Sequence, residues 1–269
     1  MNRHHQLSLS LAFLSKRFVA AVVLASFLLL FGFSSFASAD ELPAAPQLEA
    51  EAAILMDAES GQILFQHNAD EARPPASMAK MMTEYLVSMA VKQGKMSWDD
   101  KVTVGENAAK QTGSRILLAQ GDQHTIRELY IALAVYSAND ATVQLAEEVS
   151  GSEEEFAKLM NQTAVEFGMT QSHFINSTGL DRADMPEKFR PTTVDGETTM
   201  SARDAAILAY RIVKDDPEFL ETSKLQEYKF RERDKTPMKN WNWMLGTNKD
   251  NPTLRKFAYE GVDGLKTGH

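Results

Sequence analysis

Three short groups of residues in this 269-residue chain could do acyl-transfer chemistry: Ser77-Met78-Ala79-Lys80, Ser137-Ala138-Asn139 and Lys266-Thr267-Gly268. A serine hydroxyl is a poor nucleophile until a base takes its proton, and a lysine serves as that base only when burial or a neighbouring cation lowers its pKa. Lys80 follows Ser77 by three residues, so on a helix the two share a face and the amine reaches the hydroxyl. If Ser77 also opens that helix, unpaired backbone N–H groups favour negative charge developing on its oxygen. Lys266 is a candidate for the neighbouring cation and for a fixed charge that holds a substrate carboxylate. Thr267 adds a hydroxyl, and Gly268 lets an acyl chain approach the backbone. Singly the motifs say little: about one S-x-x-K and one S-x-N arise by chance in such a chain, against roughly a tenth of a K-T-G. Each also has a plain alternative, an ordinary helix-to-helix connection capped by Ser137 or Asn139, or a solvated lysine on an edge strand. Only the set carries information.

The elements that must position these groups follow from local pattern. Ala52 to Met56 and Gln62 to Gln66 are short apolar runs around Asp57-Ala58-Glu59-Ser60-Gly61, which predicts a β-hairpin. Pro74-Pro75 stops the extended chain, and Met78, Met81, Met82, Tyr85, Leu86 and Met89 fall at helical spacing, so a buried helix should start at or just before Ser77. Thr125 to Glu128 reads as a capping box for a helix reaching about Tyr136, Ser152 opens one ending near Gly168, and Ser201 opens a third. Ser137-Ala138-Asn139 then lies in a tight loop before a helix that begins near Asp140. Gly261 to Lys266 reads as a strand, with Lys266 to Gly268 on it at the edge of the site. Hairpin, helical insert and late strand predict an α+β domain in which that strand joins the early hairpin in one sheet.

Residues 1–39 differ from the rest. Arg3, Lys16 and Arg17 precede a charge-free run from Phe18 to Phe33 and then Ala37-Ser38-Ala39, the order of a secretory signal peptide cut before Asp40. An uncleaved anchor is the alternative, although the run is short for a bilayer; either reading puts the body outside the cytoplasm. Residues 40–51, rich in Pro and Ala, read as a flexible lead. Losing three basic residues and no acidic one takes the formal charge from −9 to −12, which argues against nucleic acid and against adhesion to anionic lipid. The absence of cysteine excludes disulfides and thiolate metal sites. The six histidines, His4, His5, His67, His124, His173 and His269, include no helical pair at metal-binding spacing, so no metal and no cofactor is expected.

The ordered set S-x-x-K, S-x-N, K-T-G resembles the signature of the penicillin-recognising serine enzymes, the D,D-peptidases and serine β-lactamases. Beyond the motifs, ILMDAESGQILFQHNADEARPPASMAKMMTEYLV, ELYIALAVYSANDATVQLAE, HFINSTGLD and GVDGLKTGH are similar to D-alanyl-D-alanine carboxypeptidases of the S11 type, including the Asn176 to Leu180 loop beside the site. The resemblance covers most of 52–269. It implies a β-lactamase/D,D-peptidase-like α+β fold with Ser77 as nucleophile and Lys80 as general base. Ser137 would pass a proton to the leaving amine, Asn139 would hold Lys80 and the substrate amide, and Lys266, Thr267 and Gly268 would bind substrate. The backbone N–H groups of Ser77 and His269 would form the oxyanion hole. The implied partners are peptidoglycan stem peptides ending in D-Ala-D-Ala and β-lactam antibiotics.

Departures bear on the branch. No glutamate between Ser137 and Lys266 has an asparagine four residues on, as in class A β-lactamases, and Ala138 stands where those enzymes carry aspartate. Slow release of bound penicillin is therefore expected. A D,D-endopeptidase, a β-lactamase and a non-catalytic wall-binding relative remain the competing readings. In the resembling family, further strands, a closing helix, a small β domain and a membrane-resting C-terminal helix follow K-T-G. On that basis 52–269 is expected to be a truncated catalytic domain that folds poorly or is inactive, with membrane contact only through a C-terminal anchor this chain does not carry.

Overall fold

The computed structural model describes residues 46–246 and 250–269. The expected signal peptide and residues 40–45 of the expected lead lie outside the described residues. Residues 48–269 form one compact unit.

The hairpin comes first. Strand β1 (Ala53–Met56) pairs antiparallel with β2 (Ile63–His67), Ala53 opposite His67. Its turn is closed by Asp57, whose carboxylate accepts from the Ser60 N–H at 2.7 Å and hydroxyl at 2.6 Å. After Pro74-Pro75 a 3₁₀ turn, Ala76–Ala79, feeds helix α1 (Lys80–Lys92). Nine of the thirteen residues of α1 are buried, polar Lys80, Thr83, Glu84 and Ser88 among them, so this is the central helix rather than an amphipathic cover.

Helices pack around it. Strand β3 (Lys101–Thr103), the short helix α2 (Glu106–Ala109) and strand β4 (Gln123–Thr125) lead into α3 (Ile126–Tyr136). The Thr125–Glu128 capping box is formed in both directions, which satisfies two N–H groups at the start of α3. Helix α4 (Asn139–Ser150) follows with only Ser137 and Ala138 between, and α5 (Glu153–Glu166) starts at Ser152, whose hydroxyl accepts from the Glu155 N–H. Three glutamates in the first turn of α5 face its positive end. A long irregular stretch carries the 176–180 loop, and α6 (Ala202–Asp215) opens on Ser201. Leu129, Leu133, Leu145, Phe156, Met160, Phe174 and Leu208 are wholly buried between these helices, each worth about 1.5–3 kcal/mol of transfer from water. The short helix α7 (Phe219–Ser223) and strands β5 (Glu227–Tyr228) and β6 (Met238–Lys239) complete an α+β architecture. No helix among the described residues is long and apolar enough to cross a membrane.

Two expectations are corrected. The described strands form three separate two-stranded antiparallel sheets, β1–β2, β3–β4 and β5–β6, and no late strand joins the hairpin. Residues 261–269, which carry Lys266-Thr267-Gly268, form no strand. A strand exists only by its ladder with a neighbour, and this segment meets side chains instead: Ser223 Oγ donates to the Asp263 carbonyl at 2.7 Å and Asn242 Nδ2 to that of Gly264 at 3.1 Å.

Candidate active site

Ser77 sits on the 3₁₀ turn, partly exposed, and Lys80 is the first residue of α1, fully buried beneath it. Pro74-Pro75 delivers the chain to Ala76, which takes a left-handed φ of 48°, so the turn swings Ser77 over the end of the helix. Lys80 Nζ donates to Ser77 Oγ at 2.9 Å and to the Thr178 carbonyl at 2.8 Å. Burial holds the Lys80 pKa well below the usual lysine range, and the Lys266 cation pushes the same way; Glu84 and Glu153 partly oppose both. An amine so placed gives up its proton more readily than an ordinary lysine and is the better able to act as a base.

The 176–180 loop supplies the second acceptor. Asn176 Oδ1 accepts from the Thr178 N–H and hydroxyl, both at 3.0 Å, and from the Gly179 N–H at 2.7 Å, which winds the loop tightly. Thr83 Oγ1 on α1 donates to the Ser177 carbonyl at 2.7 Å. Gly179 has φ of 79° and packs so close that an added Cβ would fall 2.0 Å from the Ala76 carbonyl oxygen. The loop is therefore clamped to the Ala76–Ala79 turn.

Ser137 ends α3 in a left-handed conformation and is nearly buried. Lys266 Nζ donates to its Oγ at 2.9 Å and to the Thr267 carbonyl at 3.0 Å. Burial brings the Lys266 pKa down to about 8, against the pull of Glu84. Gly268 lies against the turn that carries Ser77, where an added Cβ would stand 2.9 Å from the Pro75 carbonyl oxygen and 3.3 Å from Met78 Cγ. His269 is exposed at the same end. Asn139 starts α4, its Nδ2 donating to the Thr112 carbonyl at 2.7 Å and its N–H to that of Ser114 at 2.7 Å. Its Oδ1 is buried with no partner, and neither hydrogen bond of Lys80 goes to Asn139. Ser77, Lys80, Ser137, Lys266 and Gly268 thus converge through named contacts.

Three groups escaped the sequence reading: the Thr178 carbonyl and two buried glutamates. Glu84, one turn beyond Lys80 on α1, has both carboxyl oxygens buried without a partner, and burial raises its pKa to about 8 although Lys266 and Lys80 oppose. Glu153, in the first turn of α5, is fully bonded. A glutamate on the apolar face of an otherwise buried helix was the signal for Glu84; nothing local marked Glu153.

With S-x-x-K and S-x-N on a helical body and K-T-G brought against it, the chain has the β-lactamase/D,D-peptidase fold of its solved neighbours. The solved peptidoglycan synthesis regulatory factor PBP3 of Streptococcus pneumoniae superimposes with TM-score 0.74 at 30% identity, over 83% of this chain and 61% of that one. Penicillin-binding protein D2 of Listeria monocytogenes, solved in its cefotaxime-bound form, gives 0.67 at 29% identity, over 83% and 81%. The family model for D-alanyl-D-alanine carboxypeptidase, Peptidase_S11, matches residues 39–269, and the chain belongs to that family. D-alanyl-D-alanine carboxypeptidase DacF of Bacillus subtilis is 37% identical over 255 residues, 94% of this chain and 60% of the relative. The chain thus spans about three-fifths of that curated relative's length.

Proposed function

We propose that the protein is a serine D-Ala-D-Ala carboxypeptidase that removes the terminal D-alanine from peptidoglycan stem pentapeptides and is acylated by penicillins. Neutral Lys80 takes the Ser77 proton as Oγ attacks the carbonyl carbon of the penultimate D-alanine. The backbone N–H groups of Ser77 and His269 face the oxyanion. As the C–N bond breaks, the proton that Lys80 took from Ser77 is relayed through the Ser137 hydroxyl to the departing amine of D-alanine, which leaves Lys80 neutral again; Lys266, bonded to Ser137, keeps that hydroxyl oriented. Lys266, Thr267 and Gly268 receive the substrate's terminal carboxylate and backbone, and the free Oδ1 of Asn139 accepts from the substrate amide. Water then cleaves the Ser77 ester, releasing the shortened peptide and restoring the hydroxyl. A β-lactam amide opens by the same attack, but its leaving nitrogen stays tethered, so the ester persists. The protein works on the wall side of the membrane, after export by residues 1–39.

The observation that carries this reading is the Lys80 amine, fully buried and held 2.9 Å from Ser77 Oγ by a second acceptor. Two assays test it: labelling by a fluorescent penicillin and D-alanine release from diacetyl-Lys-D-Ala-D-Ala. Both are expected in the wild-type full-length protein and absent in its Ser77→Ala variant at unchanged melting temperature. Lys80→Arg should lose about 10²–10⁴-fold, the usual worth of a positioned base. Labelling that survives Ser77→Ala, or an acylation pH profile unmoved by Lys80→Arg, refutes the assignment. Rapid, sustained turnover of benzylpenicillin would instead favour a β-lactamase.

A further inference from the structure

Lys80 points at Ser77 because the Thr178 carbonyl holds it there, and that carbonyl belongs to a loop with no regular secondary structure. What anchors the loop lies outside the three motifs. Glu153 Oε1 accepts from the Ser177 hydroxyl at 2.7 Å and from the Ser177 N–H at 3.2 Å, while Oε2 accepts from Asn107 Nδ2 at 3.1 Å. The side chain is buried, and each of its contacts is a hydrogen bond that one of its carboxyl oxygens accepts; burial pushes its pKa up, and the bonds from Ser177 and Asn107 pull it back. A buried carboxylate costs folding free energy unless such contacts compensate it, and here the compensating contacts run to the loop over the site.

Resting on the proposed function, we infer that Glu153 is a positioning residue for the base: through Ser177 it fixes the 176–180 loop so that the Thr178 carbonyl keeps the Lys80 amine on Ser77. The chain of contacts is continuous, from Glu153 to Ser177, along one peptide to Thr178, then to Lys80 Nζ and Ser77 Oγ. Thr83 holds the same Ser177 from the α1 side. Glu153 also acts through its charge. Lys80 is faced by Glu84 on its own helix, by Glu153 from α5 and by Lys266 from the C-terminal segment. Glu153 is faced by Lys80 and, across Asn107, by Glu147. A charged Glu153 raises the Lys80 pKa. Neutralising it lowers that pKa, leaves more neutral amine at a given pH and moves the acid limb of acylation to lower pH.

The test compares second-order acylation by fluorescent penicillin across pH in the full chain for wild type, Glu153→Gln, Glu153→Ala and Ser177→Ala, alongside melting temperatures. Glu153→Gln keeps an oxygen for Ser177, and Asn107 keeps Glu147; it should acylate within about threefold of wild type on the plateau with its acid limb displaced downward. Glu153→Ala strands both Ser177 donors and should lose about ten- to a hundredfold on the plateau. Ser177→Ala should lose about threefold or more, and it decides the matter if Glu153→Ala does not fold. A folded Glu153→Ala with wild-type rate and limb overturns the inference, as does an equal loss in Glu153→Gln with no shift of the limb. If the wild type takes no label, the proposed function fails on its own, and a crystal structure of Glu153→Ala decides the inference. A Thr178 carbonyl moved out of reach of Lys80 supports it; an unmoved one refutes it.

Discussion

Lys80 and Lys266 each donate to a serine hydroxyl at 2.9 Å, yet the molecule holds them by different means. Lys80 is the first residue of the central helix, wholly buried, with a loop clamped over it by backbone contact. Lys266 rides on an extended segment with no ladder, tied by single bonds from Ser223 and Asn242 and by its own contact with Ser137. In the first region position is a consequence of packing, and disturbing it should cost stability. In the second, position is a consequence of a few tethers, so disturbing it should cost chemistry while the body stays folded.

The sharpest way to break this contrast is Gly179→Ala. The added Cβ would need the Ala76 carbonyl to yield by more than an ångström, and φ of 79° is strained for any L side chain. Overpacking and strain together should remove about 3 kcal/mol or more of stability, with a matching fall in midpoint denaturant concentration. A variant that melts like wild type would show that the loop is not clamped to the turn. Lys266→Met comes next. Losing the charge proposed to hold the substrate carboxylate should raise KM by about ten- to a hundredfold. Its cation also lowers the Lys80 pKa, so removing it should raise that pKa and carry the acid limb of acylation to higher pH, the reverse of the Glu153→Gln shift. Thermal stability should hold, and a large melting loss would place Lys266 in the body after all. Gly268→Ala is milder: a Cβ 2.9 Å from the Pro75 carbonyl pushes the end of a segment held by few bonds, for about a tenfold loss of acylation. A melting loss as large as that of Gly179→Ala would erase the distinction.

The same contrast separates what was legible in the sequence. Thr125, Ser152 and Ser201 announced their helices because a cap is a bond between residues three apart. Ser77 and Lys80 were legible for the same reason, sharing one turn. The strand reading of Gly261 to Lys266 failed because a ladder needs a partner that no local pattern supplies. Glu153 was hidden because its partners Ser177 and Asn107 lie 24 and 46 residues away. As a glutamate in a helix's first turn it looks like one of three exposed dipole-facing acids.

Glu84 joins the two regions and gives the smallest expected effect. It lies in the body, but Lys266 as well as Lys80 lowers its pKa, while burial raises it to about 8 from an ordinary value of 4.5. Between pH 4.5 and 8 the folded chain therefore keeps a proton that the unfolded chain releases. Stability from this group is fully present below 4.5 and is lost as pH rises through 8. Glutamine cannot titrate, so Glu84→Gln should melt close to wild type at acid pH and gain on it progressively toward pH 8. Adding Lys266→Met sharpens the point. With that cation gone Glu84 should hold its proton to still higher pH, and the window over which glutamine gains should extend upward. A melting difference that is constant with pH, or one indifferent to Lys266, would show that the extended segment and the central helix do not share a charge balance.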